Sequence, residues 1–164
     1  MAAKKWVPIV VGIVIFVFVV GAGLVGGLVY VVTRQVKVQE LSASAGQEEF
    51  ERLVAGFAGQ QALIDMPADP DGEMQVHHEL ETRQTGSIST VHVRAWSPRD
   101  RKLVQVDLPF WTLRLTGNRP IELHAGASGA MVLKVTPDQI DRRGPGMELN
   151  HTRHGGERVL IWTE

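Results

Sequence analysis

Residues 91–96, Val-His-Val-Arg-Ala-Trp, and residues 103–108, Leu-Val-Gln-Val-Asp-Leu, decide the fold of this chain. Alternate residues along both segments are apolar, and a period of two is the pattern of a β-strand that buries one face. The segment Ser97-Pro-Arg-Asp-Arg101 between them is rich in turn formers. Together they predict a β-hairpin, the clearest in the sequence.

Further strands are predicted on both sides of this hairpin. Met74 to Leu80 alternates in the same way, and Gln61 to Met66 reads as a shorter strand before it. Downstream strands are predicted over Ile121–His124, Met131–Val135, Met147–His151 and Arg158–Thr163, the last two joined as a hairpin.

One long helix is predicted over Gln47–Ala58. Its apolar residues recur at the i, i+3, i+4, i+7 spacing of an amphipathic helix, and Gly59 is placed to end it. These apolar residues are Phe50, Leu53, Val54 and Phe57.

Two shorter helices are also predicted. Thr136-Pro-Asp-Gln139 has the pattern of a capping box, and Gly144 stops the helix that follows. Pro109–Leu115 fits either a strand or a short helix, and its leading proline favours the helix. Because hairpins and short loops link most strands, the fold class is α+β, with a mostly antiparallel sheet, one long amphipathic helix and short helices.

The N-terminal segment predicts a transmembrane helix. Val7 to Val32 is 26 residues without a charge, long enough to cross a bilayer, and Trp6 and Tyr30 lie near its ends, as interfacial aromatic residues do. The predicted domains are an anchor over residues 1–33, a neck over 34–46 and a soluble α+β domain over 47–164.

A cleaved signal peptide is the competing interpretation of the N-terminus. Lys4 and Lys5 form a basic region, and Ala43-Ser-Ala45 has the form of a cleavage site. The apolar stretch is longer than the roughly 7 to 15 residues of a signal-peptide core, which favours the anchor.

Orientation follows from the positive charges that flank the anchor. Lys4 and Lys5 precede it, whereas Arg34 and Lys37 follow it, so the bias is slight. A short basic N-terminal tail is typical of a signal anchor with a cytoplasmic N-terminus. The soluble domain is therefore expected outside, in a periplasmic or extracellular location.

Gly23 and Gly27 form a G-x-x-x-G motif inside the anchor. Such small residues allow two membrane helices to pack closely, although glycine is also frequent in membrane helices in general. The expected partners are thus the lipid bilayer, another envelope protein, or a second copy of the chain.

Composition excludes several functions. The chain has no cysteine, so disulfides, thiol nucleophiles and cysteine-ligated metals are excluded. Its 17 basic and 18 acidic residues give no basic excess, so nucleic acid is not an expected partner. No cofactor is expected, because the sequence lacks a phosphate-binding glycine loop and the metalloprotease and serine-hydrolase motifs.

Histidines are the main candidates for site chemistry. His151 and His154 flank a predicted turn, which could bring both near one metal ion, although exposed turn histidines are the commoner outcome. His77 and His78 are adjacent on a predicted strand, so their side chains point to opposite faces and do not share an ion. No catalytic residue is assigned.

Four aromatic residues have two interpretations. They line a groove for a partner, or they fill the core of a small domain, which is the more frequent role. These residues are Trp96, Phe110, Trp111 and Trp162.

The soluble part resembles a group of uncharacterised bacterial single-pass membrane-anchored proteins. The resemblance rests on residues 57–60, 63–64, 91–96, 108–111, 113–115, 144–146 and 158–164. It implies a bacterial source and an anchored domain, and it transfers no functional residue, because the group has no assigned activity.

Three functions remain open from the sequence. The leading hypothesis is a non-enzymatic binding or scaffold module of the cell envelope, held by the membrane helix. A metal-dependent hydrolase or other enzyme in the soluble domain is the alternative. A third hypothesis is an anchored subunit of a larger complex that assembles through Gly23 and Gly27.

Overall fold

The described part of the chain forms a small α+β domain with a mostly antiparallel sheet. The computed structural model describes residues 36–67, 74–81, 87–115, 117–124, 130–133, 135–153 and 155–164. Within these residues a seven-stranded sheet has the order β1-β5-β4-β9-β8-β2-β3, and β6 and β7 form a separate ribbon. Neighbouring strands are antiparallel apart from β2 and β8, which are parallel.

The strands and helices follow in chain order. They are β1 (Val36–Glu40), α1 (Ala43–Ala55), β2 (Ile64–Asp65), β3 (Gln75–Val76), a 3₁₀ turn (His78–Leu80), β4 (Thr90–Ser97), β5 (Lys102–Pro109), α2 (Phe110–Arg114), β6 (Ile121–His124), β7 (Ala130–Leu133), α3 (Pro137–Arg143), β8 (Gly146–Thr152) and β9 (Arg158–Thr163).

The hairpin of β4 and β5 is confirmed and lies within the large sheet. It is in register from Thr90 opposite Pro109 to Ser97 opposite Lys102. From Val104 to Leu108 alternate residues of β5 are buried, as the period-two pattern predicts. β4 also pairs with β9, so both of its edges are hydrogen-bonded.

The segment predicted as a neck, residues 34–46, contains regular secondary structure from Val36 onward. Val36–Glu40 forms β1, which pairs with β5 in five register positions, and Ala43 already begins α1. The Leu41 N–H donates to the Arg101 carbonyl at 3.0 Å and continues this attachment. Strand β1 was not predicted because its hydrogen-bond partners lie far along the chain, from Lys102 opposite Glu40 to Val106 opposite Val36.

Helix α1 begins four residues earlier and ends three residues earlier than predicted. Ser42 caps it by accepting a hydrogen bond from the Ala45 N–H at 3.2 Å, and the alanines that follow favour helix. The helix proper stops at Gly56, and irregular turns continue to Gly59, whose φ of 83° redirects the chain.

The sheet carries apolar clusters on its two faces. On one face α1 places Phe50 against Trp96, Leu103 and Leu160. On the other face α2 and α3 pack onto the sheet. The buried residues of that second cluster are Leu63, Ile64, Ile88, Val91, Phe110, Leu113, Ile121, Val135, Ile140, Leu149 and Ile161.

The strand predicted over Met74–Leu80 is largely wrong. Only Gln75 and Val76 pair, and a 3₁₀ turn follows at His78–Leu80. His77 and His78 contact the nearby carboxylates of Glu79 and Glu81 at 2.8 and 2.6 Å. Such local side-chain contacts compete with an extended ladder. The strand predicted over Gln61–Met66 is likewise shortened to two residues.

The two short helices are confirmed. Thr136 Oγ1 accepts from the Gln139 N–H at 3.3 Å, and Gln139 Oε1 accepts from the Thr136 N–H at 2.9 Å, which completes the capping box. Gly144 ends this helix with a φ of 78°. Pro109 precedes α2 as its cap residue.

The remaining predicted strands are confirmed with small changes of bounds. β6 pairs with β7 from Ile121 to Leu133, and β8 pairs with β9 as the closing hairpin. The β8–β9 register shifts between Met147 and Leu149, so Glu148 occupies a β-bulge.

The predicted anchor and the Gly23/Gly27 motif lie outside the described residues. Within the part of the chain that the structure describes, no helix has the length and apolar character needed to cross a membrane.

Candidate functional site

A cluster of polar and aromatic side chains lies at one end of the sheet, on the face that α1 partly covers. Cross-strand pairing brings these residues together, since His92 lies opposite Asp107 on one side and Trp162 on the other. We call this group the His92 cluster; it consists of His92, Arg94, Asp107, Trp162 and Glu164.

His92 is held on both sides of its ring. Its Nδ1 lies 2.6 Å from Asp107 Oδ1, and its Nε2 lies 2.7 Å from Glu164 Oε1. Each ring nitrogen therefore lies within hydrogen-bonding distance of a carboxylate oxygen. Both nitrogens of the ring are thus engaged within the domain in this arrangement.

Asp107 is shared between the side chains of Arg94 and His92. Arg94 Nη1 lies 2.7 Å from the same Oδ1 that His92 contacts. Burial acts to raise the pKa of Asp107, but the hydrogen bonds from Arg94 and His92 outweigh it, so the pKa lies below its usual value. Asp107 is thus a stable anion at neutral pH.

Trp162 covers the cluster from the side of α1. Its ring stacks on His92 with centroids 4.7 Å apart, and the Arg94 guanidinium lies 5.1 Å from its centroid. Phe57 lies beyond the end of α1, and its ring packs against the Trp162 ring with the two centroids 5.7 Å apart. The cluster consequently links the C-terminal residue, three strands and the helix into one unit.

A second group surrounds the buried carboxyl of Glu148. Thr163 Oγ1 donates to Glu148 Oε1 at 3.0 Å, while Oε2 is buried and has no hydrogen-bond partner among the described residues. Burial raises the pKa of Glu148 to about 7, against the opposing effects of Arg143 and Thr163. A carboxyl of this kind can exchange a proton near neutral pH.

Of the predicted metal pair, the structure describes only His151. This residue is buried in β8, and its Nδ1 lies 3.2 Å from the Met66 carbonyl oxygen. Burial lowers the pKa of His151, Arg153 lowers it further, and the Met66 contact opposes both. His154 lies outside the described residues, and those that are described contain no group of three or more potential metal ligands.

His77 and His78 are paired with acids on the same short segment. His78 and Gln139 both contact Glu81, and Arg142 Nε donates to the other Glu81 oxygen at 3.0 Å. Burial acts to raise the pKa of Glu81, but these contacts outweigh it and lower the pKa. The group attaches the 3₁₀ turn to α3.

The four aromatic residues do not line one groove. Trp96 and Phe110 are buried in the clusters on opposite faces of the sheet. Trp162 belongs to the His92 cluster, and Trp111 is 52% exposed on α2. The core interpretation is therefore correct for two of the four residues.

Sequence reasoning missed both clusters. His92 and Asp107 stand on the polar positions of two alternating strands, and the hairpin register would have placed them opposite each other. Glu148 gave one signal, as an acid between Met147 and Leu149 in an apolar strand. Its burial depends on the bulge, which the sequence did not indicate.

Comparison with protein-family models, with curated proteins and with solved structures found no match to this chain.

Proposed function

We propose that this protein is a membrane-anchored, non-enzymatic binding or scaffold module of the bacterial cell envelope. The observation that supports it most is the position of β1. This strand begins at Val36, four residues after the uncharged stretch that ends at Val32, and it is hydrogen-bonded along β5. The domain is thereby held close to the proposed anchor.

The engagement of the polar side chains supports a scaffold rather than a reaction centre. Both nitrogens of His92 face carboxylates, and Glu81 is bound by three side chains from two elements. Contacts of this kind fix the relative positions of strands and helices. The domain then offers a rigid surface to an envelope partner or to a second copy of the chain.

Membrane fractionation tests the anchor. We expect the full chain to sediment with membranes and to resist extraction by salt and alkaline carbonate, because the uncharged stretch lies in lipid. A chain starting at Val36 serves as the matched control and should be released. Release of the full chain by carbonate would overturn the proposal.

The orientation has its own test. Alkaline phosphatase fused after Glu164 should be active, since we propose that Lys4 and Lys5 hold the N-terminus in the cytoplasm. Replacing both lysines with glutamate should lower that activity by raising the inverted fraction. An inactive wild-type fusion at normal expression would place the domain in the cytoplasm.

Partner capture distinguishes a binding module from self-association. The full chain is purified from detergent extract together with a Gly23→Leu, Gly27→Leu variant, which blocks close helix packing. Retention of a specific envelope protein by both chains supports binding through the domain. Loss of all association in the variant supports assembly through the membrane helix instead.

The alternative of an enzyme is favoured by Glu148, because a buried carboxyl with a pKa of about 7 is typical of acid–base chemistry.

A metal-dependent hydrolase is the other form of this alternative. It is tested by Zn²⁺ titration of the full chain and of a His151→Ala variant. Stoichiometric binding that this variant loses would support the metal site, and equal weak binding by both chains would exclude it.

A further inference from the structure

Two apolar side chains are displayed together on the outside of α2. Trp111 is 52% exposed and Leu115 is 48% exposed. Leu115 directly follows α2 with helical backbone angles and lies four residues after Trp111, so the two residues share one side. Phe110 and Leu113 anchor α2 in the core, and Arg114 Nη2 donates to Asp141 at 2.8 Å. The pair is therefore held on a fixed support.

The pair lies at the end of the sheet where the described chain begins. β1 is antiparallel to β5, with Val36 opposite Val106, so β1 starts at the end where β5 finishes. β5 continues for three residues from Val106 to Pro109, about 10 Å at 3.3–3.4 Å per residue, and then enters α2. Helix α2 thus begins at the same end of the sheet, about 10 Å along β5 beyond the position opposite Val36.

The chain length before β1 places a bilayer within reach of this pair. Three residues separate Val32 from Val36, and such a connector spans at most about 14 Å. Tryptophan rings favour the headgroup level of a bilayer, where an apolar body and a polar N–H are both accommodated. We propose that Trp111 and Leu115 insert into the headgroup layer of the membrane that holds the chain, an inference that rests on the proposed anchor.

The contact is apolar rather than electrostatic. Arg114, the basic residue next to Leu115, is already paired with Asp141 at 2.8 Å, which weakens its attraction to anionic lipid. Insertion therefore occurs on zwitterionic bilayers and changes little with salt. Together with the tether at β1, this second attachment fixes the tilt of the sheet on the membrane.

Lipid-quenching of a single fluorescent label tests the contact. Because the natural chain has no cysteine, Leu115→Cys and Arg99→Cys each create one labelling site for an environment-sensitive dye. Arg99 is exposed in the β4–β5 turn, about 24 Å from α2 along the strand. In the full chain on phosphatidylcholine vesicles, spin-labelled lipid should quench the dye at position 115 several-fold more than at position 99.

The second part of the experiment adds Trp111→Ser to the Leu115→Cys chain and tests the role of Trp111. Because Trp111 is exposed, this change leaves the fold intact, as a thermal melt will verify, and quenching at position 115 should fall towards the value at position 99. Unchanged quenching would overturn the role of Trp111, and equal quenching at positions 115 and 99 would overturn the contact.

An Ile15→Cys label separates failure of this inference from failure of the anchor. If the label at position 15 is quenched by deep spin-labelled lipid while position 115 matches position 99, the anchor stands and the contact is wrong. If the label at position 15 is not quenched and the chain does not float with vesicles, both are wrong.

Discussion

Thr163 donates a 3.0 Å hydrogen bond to Glu148 between two neighbouring strands in the interior of the domain. Glu148 is 1% exposed, and its second oxygen has no partner among the described residues. An ionised carboxylate in such a place is poorly solvated, which is why burial raises the pKa of Glu148 to about 7. This relationship makes the stability of the domain depend on pH.

Glu148→Gln should remove that pH dependence. The folded pKa of about 7 lies above the ordinary value of 4.5 for a glutamate carboxyl. The stabilising contribution is therefore fully present below pH 4.5 and is lost as the pH rises through 7. Over this rise in pH the free energy of unfolding of the natural chain falls by about 3 kcal/mol. Urea unfolding of both chains from pH 5 to 8 measures it, and the variant should gain stability relative to the natural chain at pH 8.

Glu48→Gln is the matched control, since Glu48 is exposed on α1. The lowered pKa of His151 acts in the opposite sense, because its contribution is present above pH 6.5 and is lost as the pH falls. That contribution is common to all three chains and cancels in the differences. Parallel stability curves for Glu148→Gln and the natural chain would contradict the prediction.

Double-mutant cycles should find unequal coupling in the His92 cluster. His92→Phe keeps a ring against Trp162, whereas Asp107→Asn and Glu164→Gln remove the two charges. We expect a coupling energy of about 1 kcal/mol between His92 and Asp107. The coupling energy between His92 and Glu164 should be below about 0.5 kcal/mol. The reason is exposure, 38% for the Asp107 side chain and 67% for that of Glu164. Equal coupling, measured by urea unfolding, would reject this ranking.

Gly46→Ala should destabilise the domain although alanine favours helix. A Cβ at Gly46 would overlap the buried ring of Trp96. Overpacking of this kind costs about 1–3 kcal/mol, more than the roughly 1 kcal/mol that alanine contributes to helix propensity. Thermal unfolding compares this variant with Ala45→Ser at the exposed neighbour. A higher melting temperature for Gly46→Ala would show that α1 does not pack as described.

A soluble fragment should begin at Val36 rather than after Glu40. β1 contributes five register positions along β5, and Gln105 Nε2 donates to Gln39 Oε1 at 3.2 Å. Fragment 41–164 loses these contacts and exposes β5 as a new edge, which promotes aggregation. Light scattering and urea unfolding should find fragment 36–164 more stable and less aggregated. Equal behaviour would mean that β1 adds nothing to the fold.

The sequence determined those elements whose causes lie within a few residues. The capping box at Thr136 needs only Gln139 three positions away, and the hairpin of β4 and β5 needs only alternation and a short turn. The closing hairpin from Met147 follows from the same two local signals. For this reason the α+β class and most elements could be predicted from the sequence.

Tertiary structure alone decided the features that join distant residues. β1 is a strand because β5 pairs with it, Glu148 is buried because a bulge turns it inward, and His92 is engaged by Glu164, 72 positions away. The alternation of apolar and polar residues predicts which side chains of a strand share a face. The partners of that strand across the sheet depend on the strand order of the whole chain. The local sequence around Val36, Glu148 and Glu164 does not encode that order, so only the folded chain assigns their partners.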